Sequence, residues 1–113
     1  MEGERDVSEL QKKYKFYTVS ENPTDKDGFI WDLMVFGLEC PNAWYEPLDK
    51  LGQKIEEARK AGLIDAETRA SQVKEKWYEL RVYYYPYNDL VEQYIEEAEK
   101  EVAEIEAKIL GER

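Results

Sequence analysis

The alternation of side chains between residues 72 and 85 constrains the fold more than any other part of the chain. Two sets of positions alternate in each half of the stretch, and the second half is rich in Val and Tyr. The sets are Val73, Glu75 and Trp77 against Lys74, Lys76 and Tyr78, then Leu80, Val82 and Tyr84 against Arg81, Tyr83 and Tyr85. A period of two in residues of this kind is typical of β-strands, so the stretch predicts a hairpin that turns near residues 77–79. Pro86 ends the second strand, because proline cannot donate a hydrogen bond to the ladder.

Helical patterns flank the predicted hairpin on both sides. The first helix carries an apolar residue every three or four positions: Leu48, Leu51, Ile55 and Ala58. Pro47 suits its first turn and Gly62 its end. A second helix over residues 88–110, about 33 Å long, has Asn88 as its N-cap and a longer stripe: Leu90, Val91, Tyr94, Ile95, Ala98, Val102, Ile105 and Ile109. We therefore predict a single α+β domain over residues 1–113, with a small antiparallel sheet packed by helices.

The N-terminal third has weaker patterns. Residues 8–17 predict a short helix with Ser8 as its N-cap and Leu10, Tyr14 and Tyr17 on one face. Residues 18–28 consist of turn formers and charges, which predicts a loop.

Phe29–Leu38 is the most apolar run in the chain. Its ten residues fit a buried strand or a short helix, and its aromatic and β-branched content, with the break at Gly37, favours the strand. We expect Trp31 and Phe36 of this strand to lie in the core, because aromatic side chains bury the most surface.

Composition excludes several classes of protein. With 37% charged residues and no apolar run near the roughly 20 residues of a spanning helix, no membrane protein is expected. The first ten residues lack the apolar region of a secretory signal, and the single Cys40 allows no internal disulfide, so a cytoplasmic location is expected. The net charge of −10 argues against general nucleic-acid binding, which depends on Lys and Arg.

Catalytic groups are scarce. The chain has no His, so the usual general base is missing, and Cys40 is interpreted as a small buried apolar residue. The carboxylates lie on periodic polar helix faces, where they are solvated, and neither a Cys/His cluster nor an Asp-rich calcium loop is present. We therefore predict a protein that is not an enzyme, with no metal and no cofactor.

The candidate binding residues lie where cations meet aromatic rings on the hairpin: Lys74, Lys76, Trp77, Arg81, Tyr83 and Tyr85. Strand alternation points Lys74 and Lys76 the same way, and Arg81 can lie opposite them. Cations beside aromatic faces suit a small, planar, anionic ligand such as a nucleotide. Alternatively, the lysines pair with nearby Glu residues and the tyrosines line the core. Trp44 and Tyr45 are further candidates for a pocket wall, or else form a hydrophobic staple.

Three blocks resemble a family of small uncharacterised bacteriophage and prophage proteins: VFGLECPNAWYEPLDKL (35–51), QVKEKWYELRVYY (72–84) and the acidic IEEAEKEVAEI (95–105). The family pattern is similar to GxxCGxGWxxLLxxL followed by QVKEKFGxLRFY. The resemblance implies a shared fold and a viral origin, and its Phe-Gly supports a turn at Trp77 and Tyr78. This chain departs at Pro41-Asn42-Ala43, where the family has glycines. It also lacks the Cys-x-x-Cys tail of many members, so no zinc role carries over.

Three functions fit these features. The first is a phage-type protein in the host cytoplasm that oligomerises through the 88–110 helix and sequesters a small anionic ligand, such as a cyclic nucleotide used as a host immune signal. The second is an acidic protein that inhibits a host defence protein by charge mimicry. The third is a structural accessory protein. A basic concave site would favour the first, and a continuous acidic face the second.

Overall fold

The computed structural model describes residues 5–111, and its helices and sheet confirm the α+β fold. The helices are α1 (Leu10–Lys13), α2 (Tyr45–Lys60) and α3 (Asp89–Gly111), and the strands are β1 (Leu38–Glu39), β2 (Arg69–Lys76) and β3 (Glu79–Tyr85). The sheet order is β1-β2-β3. Within residues 5–111, no helix combines the length and the apolar character needed to cross a membrane.

The predicted hairpin is confirmed. Strands β2 and β3 are antiparallel and are joined by a turn at Trp77 and Tyr78, and the register sets Lys74 opposite Arg81. A bulge in β2 between residues 70 and 72 shifts the register once. The short β1 pairs with β2 in parallel, so the sheet is mixed and not purely antiparallel as predicted.

One buried cluster joins the helices to the sheet. The predicted apolar residues of α2 are all buried, and from α3 the buried side chains are Val91, Ile95, Ala98 and Val102. The sheet contributes Val73 and Leu80. Much of the apolar stripe of α3 is therefore buried against the rest of the chain. An oligomer that forms through this helix stays a prediction.

Residues 29–37 do not form the predicted strand, and within the run only Leu38 is in a strand, as the first residue of β1. Asp32 is fully buried, and its carboxylate accepts hydrogen bonds from the backbone N–H of Ser20 (2.6 Å) and of Met34 (3.0 Å). The second of these bonds caps a 3-10 helix at Leu33–Phe36, which ends at a glycine with φ of 77°. Trp31 and Phe36 are 42% and 60% exposed, so the prediction that they belong to the core is wrong, and Met34 is buried instead.

Residues 8–17 form a broken helix. Asp6, and not the predicted Ser8, caps the first 3-10 turn at Val7–Glu9. Tyr14 then takes an extended conformation, with φ of −129° and ψ of 130°, between α1 and a 3-10 turn at Lys15–Tyr17. With this break in the helix, Phe16 and Tyr17 are both fully buried. Leu10, Tyr14 and Tyr17 are all buried, but they do not share one face of a single helix as predicted.

Candidate functional site

The structure separates the predicted binding residues into three places. Lys74, Arg81 and Tyr83 lie on the outer face of the hairpin. Trp44, Lys76 and Trp77 line a groove at the hairpin tip. Tyr45 is 6% exposed and belongs to the core, where it does not line the groove.

Carboxylates flank the cations of the outer face. Lys74 and Arg81 are direct cross-strand partners, and their side chains point away from the face that buries Val73 and Leu80. The Arg81 guanidinium pairs with Glu79 at 2.8 Å, and Glu39 of β1 is the register partner of Lys74. This face is therefore a mixed-charge surface and not a concentrated basic site.

The groove lies between the hairpin tip, the turn before α2 and the last turns of α3. Its volume is about 710 Å³, and its lining is mostly apolar. The lining residues are Pro41, Ala43, Trp44, Glu75, Lys76, Trp77, Tyr78, Glu106 and Ile109. Concave sites of roughly 300–1,000 Å³ with a few polar groups are the usual size for small-molecule binding.

Trp44 forms the buried floor of the groove. Its ring is fully buried, and its indole Nε1 donates a hydrogen bond to Glu106 Oε2 at 2.7 Å. A buried indole N–H needs an acceptor, and here the acceptor comes from a residue 62 positions later in the chain. This bond fixes the last turns of α3 beside the hairpin tip.

Trp77 and Tyr78 form the rim of the groove in a strained backbone conformation. Both have positive φ, 57° and 65°, which matches a type I′ turn, where Asn and Gly are the preferred residues. Their side chains are 78% and 60% exposed. The backbone N–H of Tyr78 donates to Glu75 Oε2 at 2.6 Å, which helps to hold the turn. Strained bulky residues with exposed aromatic rings are often found at binding sites.

The described residues that line the groove carry one more negative than positive charge. Among them Lys76 is the one cation, and Glu75 and Glu106 are the carboxylates. Each carboxylate already accepts one hydrogen bond from the protein. Because a carboxylate can accept several hydrogen bonds, both keep capacity for donors on a ligand.

Cys40, which precedes the groove residue Pro41 in the chain, is not an activated thiol. Cys40 is partly buried, and burial, with smaller contributions from Glu39 and Glu75, raises the pKa of its thiol to about 12. The group is a thiol at neutral pH, whereas the thiolate is the reactive form.

Sequence reasoning missed Glu75, Tyr78, Glu106 and Ile109 as site residues. Tyr78 could have been found from its place at the predicted turn. Glu106 carries no signal, because it is one of many carboxylates on the long helix and only packing sets it beside Trp44.

Comparisons with known proteins identify no relative of this chain. No family model, no curated protein and no solved structure matches the chain. The resemblance to phage proteins therefore stays a prediction.

Proposed function

We propose that the protein is a non-catalytic binding protein that sequesters a small planar anion of low charge, such as a cyclic nucleotide or a nucleoside monophosphate. The observation that carries the proposal is the aromatic groove at the hairpin tip, where Lys76 is the one cation among the described lining residues. A nucleobase stacks on the exposed ring of Trp77. Stacking of this kind contributes about 1–3 kcal/mol per base to the binding free energy. The ammonium group of Lys76 then pairs with the phosphate.

The two carboxylates of the groove support a nucleotide over a simple anion. Amino and imino N–H groups on the edge of a base are donors, and Glu75 and Glu106 are acceptors with unused capacity. The same carboxylates, in a chain with a net charge of −10, repel a ligand that carries several charges. A monophosphate is therefore expected to bind more tightly than the triphosphate of the same nucleoside.

The test is calorimetric titration of the protein with nucleoside monophosphates, triphosphates and cyclic mono- and dinucleotides, together with their effect on the melting temperature. At a ligand concentration of about 100 Kd, binding stabilises the fold by about 2.7 kcal/mol. We expect Lys76→Ala and Trp77→Ala to weaken binding. Lys74→Ala is the matched control, because it removes the same charge two residues earlier on the same strand but outside the groove.

Two results would count against the proposal. One is the absence of heat and of any melting shift with every nucleotide. The other is an equal loss of affinity in Lys74→Ala and Lys76→Ala, which would mean that long-range attraction, and not the groove, binds the anion.

The biological setting of this proposal rests on the resemblance to phage proteins. In that setting the ligand is a host nucleotide immune signal, and binding takes place in the cytoplasm of the host cell. The alternative of charge mimicry predicts a host protein that binds α3 at low salt and dissociates at high salt. Within the chain, Glu97 and Glu101 of α3 pair with Lys54 and Lys50 of α2, which reduces the acidity that α3 can present.

A further inference from the structure

The outer edge of β3 has no partner within the described chain. β3 is the last strand of the sheet and pairs only with β2. In a hairpin with a two-residue turn, the residues that flank the turn, here Lys76 and Glu79, exchange hydrogen bonds. Alternation then directs the N–H and C=O groups of Leu80, Val82 and Tyr84 away from β2.

These outward groups make no hydrogen bond to another part of residues 5–111. Apart from the β2–β3 ladder, no backbone atom of β3 takes part in any of the hydrogen bonds of this region. Natural edge strands are commonly protected by charged side chains, especially Lys, or by Pro. β3 (ELRVYYY) contains no Lys and no Pro, its charged residues are Glu79 and Arg81, and Pro86 comes only after its last residue.

We propose that the edge of β3 binds a second copy of this chain, antiparallel, with the two-fold axis at Val82. In this register Val82 faces Val82 of the other copy, and Leu80 and Tyr84 face each other. All three are residues with outward backbone groups, so about six hydrogen bonds form, two for each hydrogen-bonded pair. The two sheets then join into one continuous sheet.

The side chains favour this register over its neighbours. It sets Arg81 opposite Tyr83 of the other copy on the outer face, where a guanidinium and an aromatic ring attract each other. Moving the axis to Arg81 would place two like charges opposite each other. Moving it to Tyr83 would bring Pro86, which has no N–H, opposite Leu80 and lose hydrogen bonds.

Long-range charge opposes this association. Each copy carries a net charge of −10, and repulsion between the copies is screened by salt. The dimer is therefore expected to tighten as ionic strength rises, whereas a contact that depended on opposite charges would weaken.

The register is tested by cross-linking in a Cys40→Ala background. Arg81→Cys and Tyr83→Cys proteins are prepared separately, then mixed and oxidised. The Cα atoms of a non-hydrogen-bonded cross-strand pair lie about 4.5 Å apart, within the disulfide range. We expect a disulfide-linked dimer in the mixture and much less in either protein alone. Equal cross-linking in all three samples, or none in the mixture, would overturn the proposal.

Sedimentation of the unmodified protein and of two variants gives an independent test. Tyr83→Lys places a cation opposite Arg81 twice in each dimer and is expected to weaken the dimer about tenfold. Tyr83→Glu places a carboxylate there and is expected to strengthen it. A protein that stays monomeric at all concentrations, or a dimer that both variants leave unchanged, would also overturn the proposal, the latter pointing to the helix α3 instead.

Discussion

Replacing the strained turn by Asn-Gly should make the protein more stable. An L-residue in the left-handed region costs about 1–2 kcal/mol, and Trp77 and Tyr78 both occupy it. Asn tolerates this conformation and Gly has no steric penalty in it, although Gly adds about 0.5–1 kcal/mol of unfolded-state entropy. Both aromatic rings are mostly exposed, so little buried surface is lost. We expect the double variant Trp77→Asn, Tyr78→Gly to gain about 1 kcal/mol in unfolding free energy.

The gain is measurable as a rise in melting temperature of about 4–8 °C per kcal/mol for a domain of this size, and as a higher urea midpoint with an unchanged slope. Tyr83→Gly is the matched control, because Tyr83 is an exposed aromatic residue within a strand and its loss should destabilise. The proposed function adds that the double variant binds nucleotide more weakly while it melts higher. A lower melting temperature would refute the reasoning. It would mean that contacts of the two aromatic rings stabilise the fold by more than the positive φ angles destabilise it.

Two further predictions concern the helices. Gly52→Ala should destabilise the fold by about 1–3 kcal/mol despite the better helix propensity of Ala, because the added Cβ lies 2.7 Å from Tyr14 Cγ; urea unfolding measures this, and an unchanged midpoint would contradict it. Burial, reinforced by neighbouring carboxylates and opposed by Arg81, raises the pKa of Glu99, so its charged form is disfavoured in the native state. Glu99→Gln should therefore raise stability at neutral pH, and the gain should disappear below the unfolded-state pKa near ~4.3; a gain that persists in acid would show a packing effect instead.

The elements with a strong repeating pattern were predictable from the sequence. The hairpin, α2 and α3 are confirmed, because the period of two and the helical stripe each match a face that is buried. The cap at Asn88 is also confirmed, since its side chain accepts hydrogen bonds from the N–H groups of Leu90 and Val91.

The prediction of a strand over Phe29–Leu38 was wrong because it was based on the apolar composition of the run. Composition does not show which groups form hydrogen bonds with the one carboxylate in the run, Asp32. The buried carboxylate of Asp32 organises this segment by hydrogen bonds to backbone N–H groups on both sides. An extended strand would bury the run without satisfying that carboxylate, and burying it unpaired is costly.

The candidate site was predictable only in part. Lys76 and Trp77 stand out because cations and aromatic rings meet on the hairpin, but the same criterion also selected Lys74 and Arg81, which lie outside the groove. Glu106 could not be identified, since its position beside Trp44 depends on how α3 packs against the hairpin. Tyr45 follows Trp44 in sequence, yet the start of α2 turns it into the core.

The bond between Trp44 and Glu106 also has a consequence for the order of assembly during synthesis. The chain is made from its N-terminus, so Trp44, α2 and the hairpin are present before the residues that complete the groove. Until Glu106 has been added, the indole N–H of Trp44 lacks its acceptor and the apolar floor of the groove is open to solvent. The binding site is thus expected to be among the last parts of the molecule to form, and a chain shortened before Glu106 would keep the hairpin but lack the site.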